Sequence, residues 1–252
     1  MLEILNFTKC YGKITAVADV TLTIPSGQFF GFLGPNGAGK TTTIKSIVGL
    51  LKPTSGTIRV EGFDVQTHPL QAKQVMGFIP DKPFVYEKLT GREFLRFSAG
   101  LYQVDPQFAD MRLEQFLELF ELRAWGDELV ESYSHGMRQK LVISAALLHQ
   151  PQVLVVDEPM VGLDPKGARQ VKRIFQEICA QGTTIFMSTH TLEIAEQMCD
   201  RVGIIQHGRI IADGTVAELQ QLAKSANDRL EDIFLDLTGG HEMNEMIEFL
   251  KN

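Results

Sequence analysis

Phe29-Phe-Gly-Phe-Leu33 runs into Gly34-Pro-Asn-Gly-Ala-Gly-Lys-Thr41 and then into Thr42-Thr-Ile-Lys-Ser-Ile-Val-Gly-Leu-Leu51. A short apolar run meets a glycine-rich turn and leaves in a segment whose apolar residues keep helical spacing. The local order is therefore strand, loop, helix. The turn fits G-x-x-x-x-G-K-[ST], with Gly34, Gly39, Lys40 and Thr41 in the required places. Glycines let successive backbone N–H groups curl into a nest for an anion, and the following helix aims its positive end at the same point. The candidate cradle comprises Gly34, Pro35, Asn36, Gly37, Ala38, Gly39, Lys40, Thr41 and Thr42. Lys40 reaches β- and γ-phosphates as a point charge, and the Thr41 hydroxyl is a candidate Mg²⁺ ligand. The pattern implies a nucleoside triphosphate site.

A phosphate loop needs groups to hold its metal and polarise water. Val153-Leu-Val-Val-Asp157-Glu158-Pro159 supplies them, an apolar strand ending in adjacent carboxylates. Asp157 suits Mg²⁺ coordination, directly or through water. Glu158 is placed to take a proton from an attacking water or to orient it.

The chain of 252 residues suits one large domain or a core with a subdomain. Its formal net charge of −7 gives no basic field for gripping nucleic acid. Cys10, Cys179 and Cys199 show no C-x-x-C spacing, which argues against a disulfide framework or zinc site and suits a reducing compartment. No apolar run approaches the ~20 residues that cross a bilayer. The start lacks a signal-peptide layout. The expected location is cytoplasmic, with any membrane role exercised through a partner.

In order along the chain, Leu2 and Ile4, then Val20, Leu22 and Ile24, alternate with polar residues and read as antiparallel strands. Tyr11-Gly12 lies between them. Tyr11 is suited either to stack on a base or to pack on the sheet edge. Thr57-Ile-Arg-Val-Glu-Gly62 and Gly77-Phe-Ile-Pro-Asp81 read as strands ending in turns. From residue 90 to about 148 the pattern is helical, interrupted at Pro106, and predicts an inserted helical subdomain. Core strands resume at Val153-Leu-Val-Val156 and Thr183-Thr-Ile-Phe-Met187, with a helix stripe of Val171, Ile174, Phe175 and Ile178 between them. A short helix from Leu192 to Met198 follows, then a hairpin around His207-Gly208. Strands alternating with helices imply a layered, mainly parallel α/β sheet. Leu230, Ile233, Phe234 and Leu237 form a C-terminal apolar stripe closed by Gly239-Gly240, and Met243, Met246, Ile247 and Leu250 a second. Such stripes pack on their own domain or face a partner.

With these residues in view, the chain resembles the ATP-binding subunits of ABC transporters over nearly its whole length. Gly34 to Thr41 match the Walker A motif and Val153 to Glu158 the Walker B motif. Ser134-His135-Gly136-Met137-Arg138-Gln139 is similar to the family signature, usually Ser-Gly-Gly-Gln. Gly162-Leu-Asp164-Pro resembles the D-loop, Ser188-Thr-His190 the switch histidine, and Tyr11 the adenine-stacking aromatic. The resemblance implies a RecA-like P-loop NTPase core with an N-terminal antiparallel β subdomain and an inserted α-helical subdomain. An ATPase domain over 1–224 and a C-terminal helical extension over 225–252 are expected.

The resemblance also implies Mg²⁺-dependent ATP hydrolysis with Lys40, Glu158 and His190 catalytic. Ser134, Gly136 and Asp164 would act on ATP sandwiched against a second cassette, identical or homologous. A separate transmembrane permease would dock at Phe84-Val-Tyr86. Two departures stand out. His135 and Met137 replace the usual Gly and Gln, and Asp81 occupies the Q-loop position where glutamine is usual. Asp81 is therefore a charged Mg²⁺ ligand, a group that repels the γ-phosphate when metal is absent, or a solvent-facing residue. The Asp81 loop, the His-Gly-Met signature and the Leu230 to Thr238 segment look most like cassettes of ABC-2-type and Ecs-type exporters. A ribosome- or DNA-directed ABC ATPase is the alternative class, disfavoured by a single phosphate loop, no heptad run and the negative charge. A small-molecule kinase would share the loop but not the signature or the switch histidine.

Overall fold

The computed structural model describes residues 1–222 and 230–238. The second C-terminal stripe (Met243, Met246, Ile247, Leu250) and Gly239-Gly240 lie outside the described residues. Strands β1 (Leu2–Tyr11), β2 (Ile14–Ile24), β4 (Ser55–Val60) and β5 (Phe63–Asp64) form an antiparallel sheet in the order β2-β1-β4-β5. A second sheet has the order β10-β9-β3-β8-β7-β6. It contains β3 (Phe29–Leu33), β6 (Met76–Ile79), β7 (Val153–Asp157), β8 (Thr184–Thr189), β9 (Arg201–Gln206) and β10 (Arg209–Gly214). All its pairings are parallel except the β9–β10 hairpin at its edge.

The apolar runs are buried on both faces, and their alternation separates the layers. Phe30, Phe32, Val153, Val155 and Phe186 join the core beneath the antiparallel sheet, with Leu2, Ile4 and Ile58. Their neighbours Phe29, Leu154, Val156, Ile185 and Met187 point the other way, into a core shared with the helices. Phe30 and Phe186 stack at 5.9 Å between ring centroids. Helix α1 (Lys40–Ile47) buries Ile44 and Ile47 on the antiparallel-sheet side, while α2 (Pro69–Gln74) leads into β6.

Three helices occupy the chain between β6 and β7: α3 (Gly91–Leu101), α4 (Pro106–Leu119) and α5 (His135–Leu147). Their ends carry local signals. Thr90 and Glu93 form a reciprocal capping box at α3. Asp105 accepts from the Phe108 N–H at α4, with Pro106 following. Ser134 accepts from the Met137 N–H at α5. Helix α6 (Pro165–Ala180) buries Val171 and Phe175, whereas Ile174 and Ile178 are only partly covered. The chain continues through α7 (Leu192–Met198) and α8 (Val216–Leu222) to α9 (Leu230–Thr238). Leu230 and Ile233 of α9 are buried with Leu33, Ala195, Ile204 and Leu219, and Phe234 packs against them, so these residues of the stripe pack on their own chain. Gln206 Nε2 donates to the Thr238 carbonyl at 2.9 Å.

Helix α3 is joined to the end of α5 by aromatic stacking. The Tyr102 ring lies 3.6 Å from that of His149, nearly parallel at 6°. His149 Nε2 donates to the Met76 carbonyl at 3.2 Å, and its buried Nδ1 has no partner, which defines a neutral imidazole. Burial pushes its pKa down to about 4, partly opposed by the Met76 hydrogen bond. An unfolded histidine titrates at about 6.5. Between these values the unfolded chain binds the extra proton, so stability present above pH ~6.5 is lost as pH falls toward 4. His149→Phe, which keeps an aromatic ring against Tyr102, is expected to flatten that stretch of the stability curve. The change amounts to at most about 1.4 kcal/mol per pH unit, read by urea unfolding at a series of pH values.

Candidate functional site

The site sits at the carboxyl ends of the parallel strands, where an open α/β sheet leaves a crevice. Leu33, ending β3, pairs with Thr189 on β8, and Asp157, ending β7, pairs with Ser188. The phosphate loop, the paired carboxylates and the switch histidine therefore leave the sheet at the same level. They border a cleft of about 380 Å³ lined by Ala16, Asn36, Gly37, Gly39, Lys40, Thr41, Thr42, Asp81, Asp157, Glu158 and His190.

The loop is held by its own carbonyls and by distant strands. Ala38 N–H donates to the Pro35 carbonyl at 3.1 Å, and Gly208 N–H donates to the Ala38 carbonyl at 2.9 Å. Gly39 precedes α1 with φ +114°, where an L side chain is strained. A β-carbon there would also stand 2.7 Å from the Ala16 carbonyl oxygen. Lys40 Nζ donates to the carbonyls of Gly34 at 2.6 Å and Pro35 at 3.2 Å, folding back over the loop. Burial lowers the Lys40 pKa, while Glu158 and Asp157 act in the opposite direction.

The acidic side is densely charged. Burial raises the Asp157 pKa; a hydrogen bond from Ser188 Oγ opposes this, and the carboxylates of Asp81 and Glu158 add to it. Glu158 adopts φ +50°, an uncommon conformation for a non-glycine residue, and its N–H donates to the Ser188 carbonyl at 3.1 Å. The side chain is fixed by Thr189 Oγ1 at 3.2 Å, the His190 N–H at 2.9 Å and His190 Nδ1 at 2.7 Å. This strained residue is over-determined by its neighbours, as strained residues at working sites are.

Three carboxylates face one ammonium in the cleft, so a polyanionic nucleotide needs an accompanying cation. The donors are hard oxygens: the Thr41 hydroxyl and the carboxylates of Asp157 and Asp81. Among the described residues no group of three or more His, Cys, Asp or Glu side chains is arranged to hold a metal ion. The oxygens fit Mg²⁺, which completes its shell with water and phosphate.

The structure leaves other expected residues outside the cleft lining. Tyr11 ends β1, is 46% exposed and lies beneath Lys9 Nζ at 5.2 Å from its ring centroid. Ser134 caps α5, and Asp164 caps α6 by accepting from the Gly167 N–H at 2.9 Å. Gly136 lies against the carbonyl oxygen of Gly162. Gly34 and Pro35 line a neighbouring cavity of about 280 Å³ with Thr189, His190, Leu192 and Phe234. Ala16, Ser188 and Thr189 are additions that residue chemistry alone did not single out. The adjacency of Ser188 and Thr189 to His190 was the available signal; Ala16 offered none.

Sheet order, carboxyl-end loops and a phosphate loop facing paired acids define a P-loop nucleotide-binding protein. A model of the ABC transporter family matches residues 17–161. The chain is 38% identical over 219 residues to the linearmycin resistance ATP-binding protein LnrL of Bacillus subtilis, covering 87% of this chain and 70% of that one. It is 35% identical to the probable multidrug ABC transporter ATP-binding protein YbhF of Escherichia coli, covering 92% of this chain but 40% of that protein. A solved ATP-binding subunit of an ABC transporter superimposes with a TM-score of 0.91 at 33% identity, over 94% of this chain and 99% of that one. The chain belongs to the ABC transporter family and is an ATP-binding subunit of it.

Gly39→Ala combines left-handed strain with a collision at Ala16 and is expected to weaken nucleotide binding about tenfold or more. Titration with a fluorescent ATP analogue measures the change.

Proposed function

We propose that this subunit hydrolyses ATP with Mg²⁺ and powers export through a separate membrane subunit. The observation that carries the reading is Glu158 held toward the phosphate loop by Thr189 and His190, beside a buried Asp157. Lys40, the amides of residues 37–41 and the start of α1 hold the phosphates. Thr41 and Asp157, with Asp81 as a third oxygen donor, would hold Mg²⁺. That ion supplies charge neutralisation on the phosphate oxygens. Glu158 orients the attacking water and accepts its proton, while His190 fixes the Glu158 carboxylate and reaches the γ-phosphate. Tyr11, at the end of the first hairpin, is the candidate adenine platform.

Ser134, Gly136 and Asp164 lie outside the cleft of their own chain, which supports a role toward nucleotide held by a second cassette. Closure on ATP and reopening after hydrolysis would then drive the transport step. The cassette pairs with a copy of itself or with a homologue.

Among the described residues no helix is long and apolar enough to cross a membrane. A docking face for a membrane subunit is supported by exposed aromatic residues beyond Asp81. Phe84 is 77% exposed, and Tyr86 meets Phe97 edge-on at 5.3 Å. A groove of about 380 Å³ between β6 and the end of α3 adds Leu50, Leu70 and Leu101, all exposed. The names of LnrL and YbhF, a resistance protein and a probable multidrug transporter, favour export.

Glu158→Gln removes the proton acceptor and keeps the shape, so kcat is expected to fall by roughly 10²–10⁴. Sizing chromatography in ATP and Mg²⁺ should show the variant as a stable dimer. A variant that hydrolyses ATP normally would overturn the assignment of Glu158. Phe84→Asp is expected to keep ATP-dependent dimerisation and to lose co-purification with the membrane subunit, which separates docking from nucleotide chemistry.

A further inference from the structure

Residues 159–163 connect Glu158 to Asp164 and lie against the head of α5. The contacts come from α5 positions 135, 136 and 139. The imidazole of His135 lies directly on Gly162, its Cδ2 edge filling the space where a β-carbon on Gly162 would stand. Gly162 also has φ +79°, so both its backbone angle and its surroundings require glycine. The Gly162 carbonyl oxygen stands 2.9 Å from the position of a β-carbon on Gly136. One turn further along the helix, the fully buried Gln139 donates from Nε2 to the Pro159 carbonyl at 3.4 Å. Met137, Met160 and Leu163 pack on the same core beneath these contacts.

The connecting stretch is thus gripped at both ends by one helix. At one end Gln139 holds the carbonyl of the residue that follows Glu158. At the other His135 covers the glycine two residues before Asp164. The side chain at 135 matters because glycine, the family's usual residue there, would leave the face of Gly162 uncovered. Of the polar and backbone contacts from α5, the Gln139 hydrogen bond and the close approach at Gly136 would then remain.

We propose that His135 is a positioning residue that clamps Gly162 onto α5, so that the signature helix, the D-loop and the Glu158 turn move as one piece. Ser134 sits at the tip of that piece and Glu158 at its base. Contact between Ser134 and nucleotide on a second cassette would therefore reach the water-orienting carboxylate through packed atoms rather than through a flexible loop. This inference rests on the ATPase reading and adds a coupling residue to it.

The test pairs a measurement that needs no turnover with one that does. Hydrogen exchange of the nucleotide-free protein is compared for wild type, His135→Gly and His135→Phe, the last keeping a flat ring against Gly162. Exchange across residues 159–164 is expected to rise about fivefold or more in His135→Gly and to stay near wild type in His135→Phe. Unchanged exchange in His135→Gly would overturn the clamp.

In steady-state ATPase assays, His135→Gly should lower kcat with KM for ATP unchanged, and His135→Phe should restore it. Gly162→Ala should cost about tenfold in kcat when His135 is present and about threefold or less in the His135→Gly background, where the ring is gone. Equal costs in both backgrounds would show that only the backbone angle matters and would sink the proposal. If Gly162→Ala does not fold, the exchange comparison of wild type, His135→Gly and His135→Phe decides. A wild type without turnover would defeat the ATPase reading, while the exchange measurement would still judge the contact.

Discussion

Everything at the site depends on the parallel register of β3, β8 and β7. Because Leu33 pairs with Thr189 and Asp157 with Ser188, three loops far apart in sequence emerge side by side. A register shift of one residue would turn each strand's side chains to the opposite face. Phe30 and Phe32 would then exchange environments with Phe29 and Leu33, and side chains of the wrong shape in a packed core cost typically about 1–3 kcal/mol each. The two-sided apolar core thus enforces the register, and the register places Lys40, Asp157, Glu158 and His190 around one cleft.

That cleft is electrostatically incomplete. Burial favours protonation of Asp157, the carboxylates of Asp81 and Glu158 add to it, and the Ser188 hydrogen bond opposes it. A buried negative cluster is costly unless a cation joins it, and a triphosphate alone would worsen the imbalance. Under the proposed function, Mg²⁺ arriving with the nucleotide would offset both. Glu158 adds a second form of tension, a left-handed backbone stabilised by the Ser188 carbonyl, Thr189 and His190. The turn is thereby held in a conformation that a free chain would rarely visit.

The helical insertion gives this preorganised centre its contacts with the rest of the molecule. Arg92 pairs with Glu114 and Asp127 to brace α3 against α4 and the following loop. Pairs at the rim of a helix layer contribute little to stability. At the other side of the cleft, α9 closes over Leu33 and α7. Its Phe234 lines the cavity that also touches Pro35, Thr189 and His190. Residues 159–163 are thus contacted by α5, and the phosphate loop and switch segment by Phe234 of α9.

The local chemistry was legible in the amino-acid sequence because neighbours along the chain create it. A nest needs its glycines in succession, Glu158 follows Asp157 directly, and Ser134 caps the helix that begins beside it. Short continuous apolar runs announced β3, β7 and β8, and the Pro106 break separated α3 from α4. What the tertiary structure alone decided is which distant atoms meet. Nothing along the chain joins Ser188 to Asp157, sets Ala16 against Gly39, or lays His135 on Gly162. Nor does the apolar stripe of α9 state whether it faces its own core or another protein. Local signals arise from bonded geometry and hydrogen bonds a few residues long, whereas these contacts arise from sheet register and core packing, where one element's side chains are specified by the surface of another.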